Sequence, residues 1–400
     1  MKHKYDIIIV GAGFIGLTLS LMLSKSGLKV CLLEKKKKTL NDNRTTAISQ
    51  GTKRIFEKLE LWKYLKKNSQ PIKKIVISES DNFDYIDFNS KSLDEGNLGF
   101  IVENFFFRKV LFNQVKKNKK VGLFINTEVE GIRHDYQDDK VYVFTKKLKF
   151  EGNLLIGADG RFSKVRDMLN LKYYFKDYKQ NAYVFNLEHT QNHNGIALER
   201  FFPEGPLAIL PMKQLKKNCF RSSVVWTIDD ALGDFSKLTQ EEFRKEFSMR
   251  YQNFFGDINN ITKPFKYPLN LIYAYDSYNE NSVLVGDASQ GIHPIAGQGF
   301  NLGMRDCMIL NKRIEEAFKN GLPISSTLNL KRYELSRFID KKLFINATDF
   351  LNTIFSNNHF LVRNLRKIGL LSINQSDNIK NELMKNAMGL RTFGILDQFH

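Results

Sequence analysis

Cysteine is scarce. Cys31, Cys219 and Cys307 are the only three in 400 residues, and they are far apart with no spacing pattern. They exclude a disulfide framework and a paired-cysteine metal site, so a reducing, cytoplasmic environment is the expectation. No apolar run approaches the length of a membrane span. Residues 1–6 lead straight into the first apolar strand, so no N-terminal leader is expected. His189 and His193 are four apart, but Asn192, Asn194 and Gly195 disfavour a helix there and no third ligand is near, so no metal is expected. Acidic residues are the minority: 43 Asp and Glu against 61 Lys and Arg leave a net charge of +18. Three sources of that charge compete: a composition biased toward Lys, Asn and Ile, attraction to anionic lipid head groups, and attraction to nucleic acid. The lysines fall in short scattered clusters and no nucleic-acid motif is present, so nucleic acid ranks last.

What is present is a chain 42% hydrophobic, enough for a large core and for two domains. Its organising stretch is residues 283–306, VLVGDASQGIHPIAGQGFNLGMRD. Val283, Leu284 and Val285 suit the end of a buried strand. Gly286 and Asp287 follow where such a strand would open into a crevice. Gly291, Gly297, Gly299 and Gly303 then expose backbone N–H groups and allow a flat ligand to approach closely. From Gly303 the pattern turns apolar and helical, aiming a helix N-terminus at whatever the loop holds. A plain glycine-rich surface loop is the competing reading. The apolar Ile292, Ile295, Ala296 and Phe300 speak against it, because linkers are polar.

The chain opens with a second signal. Residues 5–10 read as a buried parallel strand. Gly11, Gly13 and Gly16 then form G-x-G-x-x-G around Ala12, Phe14 and Ile15. Residues 17–26 form a helix stopped by Gly27, and residues 29–33 form a second strand closed by Glu34. Gly11 makes the tight turn, Gly13 lets a pyrophosphate approach, Gly16 lets helix and strand pack, and Glu34 accepts from ribose hydroxyls. The fingerprint alone does not separate NAD from FAD. It occurs once, and the 286 loop is far down the chain, as expected for a long cofactor gripped at both ends; both favour FAD. Lys35 to Lys38 form a basic run that is either a solvated turn or, at Lys35, a contact to cofactor phosphate.

Between these signals, residues 42–52 lead into a helix carrying Ile55, Phe56, Leu59, Leu61 and Trp62. Residues 72–78 and 84–88 alternate like strands of a half-exposed antiparallel sheet, and residues 105–116 form a helix. Residues 121–126, 127–134 and 140–144 read as strands. An apolar strand then runs into Asp159-Gly160, with Ser163 placed to start a helix. A second group of strands covers residues 182–188, 195–202, 206–210 and 221–228. Beyond Asp306 the chain turns helical, with an apolar stripe at 343, 344, 347, 350, 351, 354 and 355.

The pattern GD-x₆-P-x₂-GQG-x-N-x-G at 286–303 resembles the FAD-contacting segment of the flavin-dependent aromatic hydroxylases, the class A flavoprotein monooxygenases. HPIAGQGFNLGMRD is most similar to the ubiquinone-biosynthesis group, the 2-polyprenyl-6-methoxyphenol hydroxylases. The resemblance covers nearly the whole chain and implies an α/β fold: a Rossmann-like FAD-binding domain (1–70, 98–178, 274–332), an inserted antiparallel β-sheet substrate domain (71–97, 179–273) and C-terminal helices (333–400). It implies that Gly286 and Asp287 hold the ribityl or pyrophosphate part of FAD. Pro294, Gly297, Gln298 and Gly299, with Phe300 and Asn301, would border the isoalloxazine. The D-x-R-x-x-A-I stretch at 42–48 resembles the family segment whose arginine, here Arg44, reaches the cofactor. Arg108 stands where the family places an FAD contact, although Phe105, Phe106 and Phe107 depart from the usual polar neighbours. Asp159-Gly160 resembles the motif that serves both FAD and the transient NAD(P)H.

The hairpin from Glu199 to Met212 resembles the family's flavin-facing substrate hairpin. There Phe201, Leu210 and Pro211 are pocket walls or ordinary sheet core. His293, beside Pro294, either handles protons as a catalytic group or is structural. The implied activity is hydroxylation of a polyprenylated phenol using NAD(P)H and O₂ through a flavin C4a-hydroperoxide. Such chemistry needs no metal and no covalent nucleophile. Residues 348–351 and 363–370 resemble the group's C-terminal helices, and 360–371 carries Arg363, Arg366 and Lys367 among apolar residues. That segment either packs on the FAD-binding domain or meets a membrane surface or another ubiquinone-pathway enzyme, peripherally on the inner face of the membrane. Two rivals stand beside this. One is another flavoenzyme of the fold, such as a prenyl reductase or a halogenase; the halogenase W-x-W-x-I-P signature is missing, with only Trp62 and Trp226 present. The other is a flavin-bearing scaffold of a biosynthetic complex.

Overall fold

A computed structural model describes residues 2–36, 44–79, 85–93, 95–135, 137–293, 297–355 and 376–390. Pro294, Lys37, Lys38, Asp42 and the 360–371 segment lie outside the described residues. The all-apolar run Ile7–Val10 sits at the centre of a six-stranded sheet. It pairs in parallel with Val30–Glu34 on one side and Leu154–Gly157 on the other. Val121–Ile125 and Ser282–Leu284 extend the parallel set, and Tyr278–Asn279 closes one edge antiparallel. Such strands are apolar throughout because both faces are covered. Ile7 and Ile9 pack with the helices Phe14–Lys25 and Gly299–Lys319. Ile8 and Val10 pack instead with Val141, Val143 and Phe150. Those three belong to a four-stranded sheet of Lys2–Lys4, Lys149–Gly152, Lys140–Phe144 and Gly131–Asp135.

A nine-stranded, mostly antiparallel sheet forms the second body of the fold. Its main path runs Gln290–Gly291, Phe265–Ala274, Tyr173–His189, Cys219–Asp229, Gly205–Lys216, Ile196–Phe202, Lys74–Glu79, Tyr85–Asn89, and Ile258–Ile261 pairs with Tyr173–His189 off this path. Tyr173–His189, Gly205–Lys216 and Cys219–Asp229 run past the stretches 182–188, 206–210 and 221–228 marked by the sequence, because pairing with their neighbours continues beyond the apolar residues. The outer face is sealed. Helix Gln240–Tyr251 lays Phe243, Phe247 and Tyr251 on Tyr183, Phe185 and Trp226. A capping box at Thr239 and Glu242 starts this helix.

Residues 42–52 are not simply a lead-in to a helix. Thr45–Ser49 is a strand, paired with Gly99–Glu103, which also pairs with Ser69–Ile72. The helix that follows spans Gln50–Lys58 and is capped by the Ser49 side chain. The helix expected after Gly303 begins four residues earlier, at Gly299. Helix Asp377–Ala387 packs back against the strands Ser69–Ile72, Gly99–Glu103 and Gly205–Lys216. Met384 and Met388 join Ile72, Leu98, Ile101, Ala197 and Met212 in one apolar cluster. The turn after this helix is latched by three bonds: Gly51 N–H to the Met388 carbonyl (2.8 Å), Gln298 Nε2 to Ala387 (3.3 Å) and Arg305 Nη2 to Asn386 (3.2 Å).

Candidate active site

The fingerprint turn does what its spacing demands. Gly11 has φ +106°, and a Cβ there would lie 2.4 Å from the Ala158 carbonyl oxygen. A Cβ on Gly16 would lie 1.9 Å from the Gly11 oxygen, so helix Phe14–Lys25 can approach the strand end only through glycine. Gly13 differs: its φ of −71° and ψ of −178° suit any residue, and a Cβ would meet nothing within 4 Å. It faces a cleft of about 930 Å³. The helix has no side-chain cap and no acid in its first turn, so its first N–H groups and positive dipole end are free for an anion.

The cleft brings together Gly11, Gly13, Phe14, Glu34, Lys35, Arg44, Arg108, Asp159 and Gly160, nine of the residues singled out in the sequence. Glu34 Oε2 accepts from the Ala12 N–H and Oε1 from the Lys36 N–H, both at 2.9 Å. Each oxygen keeps a second lone pair for a ribose hydroxyl. Arg108 Nε is buried with no hydrogen-bond partner, an unmet donor beside the cleft that an anionic group would satisfy. Arg44 lies over the Tyr267 ring, 4.9 Å from its centroid, and both line the cleft. Asp159 turns its carboxylate onto Ser163 Oγ and the Val165 N–H, fixing the start of helix Lys164–Met168, while Gly160 at φ +88° opens onto free space.

The remaining expected cofactor residues among those described are not part of this cleft's lining. Ile15 is wedged between glycines: a Cβ on Gly303 would meet Ile15 Cδ1 at 2.8 Å and one on Gly286 would meet Ile15 Cγ1 at 3.2 Å. Phe300 packs against Phe14 and Phe107, with centroids at 5.9 and 5.5 Å. Buried Asn301 accepts from the Ser49 N–H and from Thr52 Oγ1, each at 2.9 Å, and donates to the Ala47 carbonyl at 3.0 Å. It bolts the start of helix Gly299–Lys319 to the strand Thr45–Ser49. Gly297, at φ +59°, would place a Cβ 3.4 Å from that of Ala47. Asp287 is joined to the cleft by Arg161, which lines it and reaches Asp287 Oδ2 at 3.7 Å. Burial raises the Asp287 carboxyl above its ordinary range, and Arg161 pulls it back.

A buried charge network under the 286 loop was not singled out in the sequence. Asp306 Oδ2 accepts from the Gly286 N–H (2.9 Å) and Gln290 Nε2 (2.7 Å), and Oδ1 accepts from Arg337 Nε (2.6 Å). Arg337 also donates to Asp340, which accepts from Arg305 at 2.7 Å. The i, i+3 pairing of Arg337 and Asp340 is the only sequence signal for it, and that spacing is just as common on solvated helices.

His293 is fully buried, with Nε2 3.3 Å from Gln180 Oε1 and its ring edge-on to Tyr178. Burial, reinforced by Arg161, pushes its pKa down to about 3, so the ring is neutral at physiological pH. His189 and His193 are tied into the sheet by Ser222 Oγ and the Met212 carbonyl, each at 2.9 Å.

The nine-stranded sheet turns its inner face toward the cleft. Ile75, Ile77, Glu199, Ala208, Leu210 and Val225 point inward yet are only half-buried, whereas the outer face is closed. The inner face therefore has open space above it. Phe201 and Leu210 are on this side. Pro211 is not: it is in register with Ser222, which places it on the outer face with Ile209 and Val224. A one-residue offset in a strand moves a side chain to the other side of the sheet.

Comparison with known proteins agrees with this architecture. Residues 4–326 match the family model described as FAD binding domain. The ubiquinone hydroxylase UbiL of Rhodospirillum rubrum is 31% identical over 395 residues, spanning 97% of this chain and 90% of that protein. The 3-demethoxyubiquinol 3-hydroxylase of Escherichia coli K12 is 27% identical over 393 residues, spanning 96% and 98%. The crystal structure of p-nitrophenol 4-monooxygenase PnpA from Pseudomonas putida superposes with a TM-score of 0.82 over 98% of this chain and all of that one, at 19% identity, a likeness of fold. The cleft with its open second glycine, the unmet arginine donor and these full-length matches agree, and the chain belongs to the FAD binding domain family, in the group of FAD-dependent monooxygenases that includes the ubiquinone hydroxylases.

Proposed function

We propose that this FAD-dependent hydroxylase acts on the aromatic ring of a polyprenylated phenol in ubiquinone biosynthesis. The observation that carries the reading is the half-buried apolar inner face of the nine-stranded sheet, in a chain similar over nearly its whole length to ubiquinone hydroxylases. A face of Ile75, Ile77, Leu210 and Val225 suits an apolar ring and the start of a prenyl tail.

The chemistry that bound FAD would supply is hydride acceptance from NAD(P)H and transfer of one oxygen atom of O₂. The chain supplies the binding. Gly13 and the N-terminus of helix Phe14–Lys25 would hold the pyrophosphate, Glu34 the adenosine ribose, and Arg108 an anionic oxygen. Asp287, Gly297, Gln298 and Gly299 would hold the flavin half, with Ile15, Gly16, Phe300 and Asn301 keeping that wall in place. Arg44 and Tyr267 stand where the cleft meets the sheet, positioned to orient the ring. Phe201, Leu210 and the Met384–Met388 turn would exclude water from the tail side. His293, neutral and enclosed, would act there through packing.

Among the described residues no helix is long and apolar enough to cross a membrane. Helix Thr327–Phe355 nonetheless exposes Leu335, Phe338, Leu343 and Phe350 beside Lys331 and Lys342. This arrangement supports peripheral contact with anionic lipid, where a prenylated substrate resides. The test of function is mass spectrometry of quinone-pathway lipids from cells lacking the protein. Accumulation of a polyprenyl phenol one oxygen short supports the reading. Unchanged lipids, with no other enzyme covering the step, would overturn it.

A further inference from the structure

One charged side chain on the inner face has no structural task. Glu199 lies in the middle of strand Ile196–Phe202, in register with Ala208 on one side and Ile77 on the other. Ala197 and Phe201, its neighbours on that face, are apolar and buried. The row across the sheet continues through Val225 and Val184 to Phe265, a residue of the cleft wall. Glu199 thus projects into the open space between the Leu210–Met384 cluster and the cleft. Among the described residues its carboxylate has no hydrogen-bond or ion-pair partner. A carboxylate on a half-buried apolar sheet face gives up part of its hydration, which costs free energy unless something satisfies it. A strand with only a packing role would carry an aliphatic residue here.

We propose that Glu199 is the catalytic base of the hydroxylase, accepting the proton of the substrate's phenol hydroxyl as the ring is attacked. This rests on the phenol-hydroxylase reading above and extends it to a named group. In the step the phenol O–H bond breaks and a carboxyl O–H bond forms. The electron pair stays on the phenol oxygen, which raises the electron density of the ring for oxygen transfer. The proton then passes from the carboxyl group to solvent.

The electrostatic surroundings suit that task. Burial alone holds the Glu199 pKa at about 7, with no charged neighbour contributing. Glu79 is on the same face of the neighbouring strand, in register with Phe201. Arg221, farther along, is paired with Glu103 of the facing strand at 3.2 Å. Glu188 is in register with Arg221, Lys380 of the terminal helix reaches Asp87, and Arg44 is over Tyr267. A base that titrates near the working pH is both populated and strong enough to take a phenol proton.

The test measures binding before turnover. FAD-loaded protein without NAD(P)H is titrated with 2-geranyl-6-methoxyphenol and with its methyl ether, which has no proton to give. The expected result is phenol affinity rising about tenfold from pH 6 to pH 8, following the ionised fraction of Glu199, while the ether stays flat. In Glu199→Gln the phenol also stays flat, and hydroxylation falls about a hundredfold at neutral pH but recovers toward the phenol's own ionisation. Glu199→Asp keeps the pH dependence with weaker rates, which separates lost basicity from lost structure. Phenol and ether titrating alike, or a Glu199→Gln enzyme with the parental pH profile, overturns the proposal while wild-type hydroxylation leaves the functional reading intact. Tight phenol binding without any hydroxylated product from the wild-type protein overturns both.

Discussion

Two glycines three residues apart in the fingerprint give opposite expectations when changed to alanine. At Gly16 the new methyl would lie 1.9 Å from the Gly11 carbonyl oxygen, against a comfortable contact of about 3.5 Å. Both partners are backbone, so no flexible side chain can yield. The helix must move off the sheet, at a cost of about 3 kcal/mol or more, the top of the range for overpacking. At Gly13 the methyl meets nothing within 4 Å, and the backbone conformation is one that alanine adopts freely. The lost N-cap preference of glycine and the gain from a stiffer unfolded chain are each a few tenths to about 1 kcal/mol and oppose one another. Gly13→Ala should therefore fold with stability within about 0.5 kcal/mol of the parent. Its methyl occupies the space through which the pyrophosphate must approach, so FAD affinity should fall by about 1–3 kcal/mol, roughly 5- to 150-fold. The assay is urea unfolding of the FAD-free variants, with FAD titration of whichever folds. If Gly13→Ala unfolds as readily as Gly16→Ala, or binds FAD as tightly as the parent, the assignment of Gly13 to cofactor space is wrong.

Glu199→Gln should stabilise the protein at pH 8 by roughly 3 kcal/mol, because the folded-state pKa of about 7 stands above the ordinary 4.5 and each unit is worth about 1.4 kcal/mol. The sign follows from linkage. Between the two pKa values the unfolded chain releases a proton that the folded one keeps, so stability falls as pH rises through that window and the gain at pH 5 should be small; equal gains at both pH values in chemical denaturation would contradict it. Arg337→Met leaves Asp306 and Asp340 buried without their shared cation and should cost about 3–5 kcal/mol, measurable in the same unfolding experiment. His293→Gln should leave the pH–rate profile unchanged from pH 5 to 9, because the native ring is already neutral there; the loss of a limb would restore a proton-handling role to it. Co-pelleting with anionic vesicles should be lost in high salt and weakened by Phe338→Glu, whose native ring is 51% exposed on helix Thr327–Phe355; no pelleting at low salt would remove the membrane contact.

The nucleotide half of the site was readable because it is local. Strand, G-x-G-x-x-G, helix and acid follow one another without interruption, and each glycine acts on a neighbour only a few residues away or on the adjacent strand. Strand Thr45–Ser49 was hidden because its partner, Gly99–Glu103, is distant in sequence and neither segment alternates cleanly. The face occupied by Pro211 was hidden for a different reason: hydrophobicity marks a strand, but register decides which side a residue takes. Glu199 stood in a stretch already tied to the substrate side, yet a lone acid among Ala197, Arg200 and Phe201 gives no sign in one dimension that its carboxylate lacks a partner. The Asp306–Arg337–Asp340 network needs two helices brought together before its charges cancel.

The turn at residues 386–388 has a consequence for biosynthesis. The carbonyls that hold Gly51, Gln298 and Arg305 are among the last described residues to be translated. The Gly11 turn, by contrast, emerges from the ribosome long before them. A nascent chain can thus form the strand–glycine–helix unit first, but the wall built on Met384 and Met388 closes only once those residues have emerged. Until then the apolar inner face stands open, and the growing chain presents to chaperones the surface that the finished enzyme keeps for its substrate.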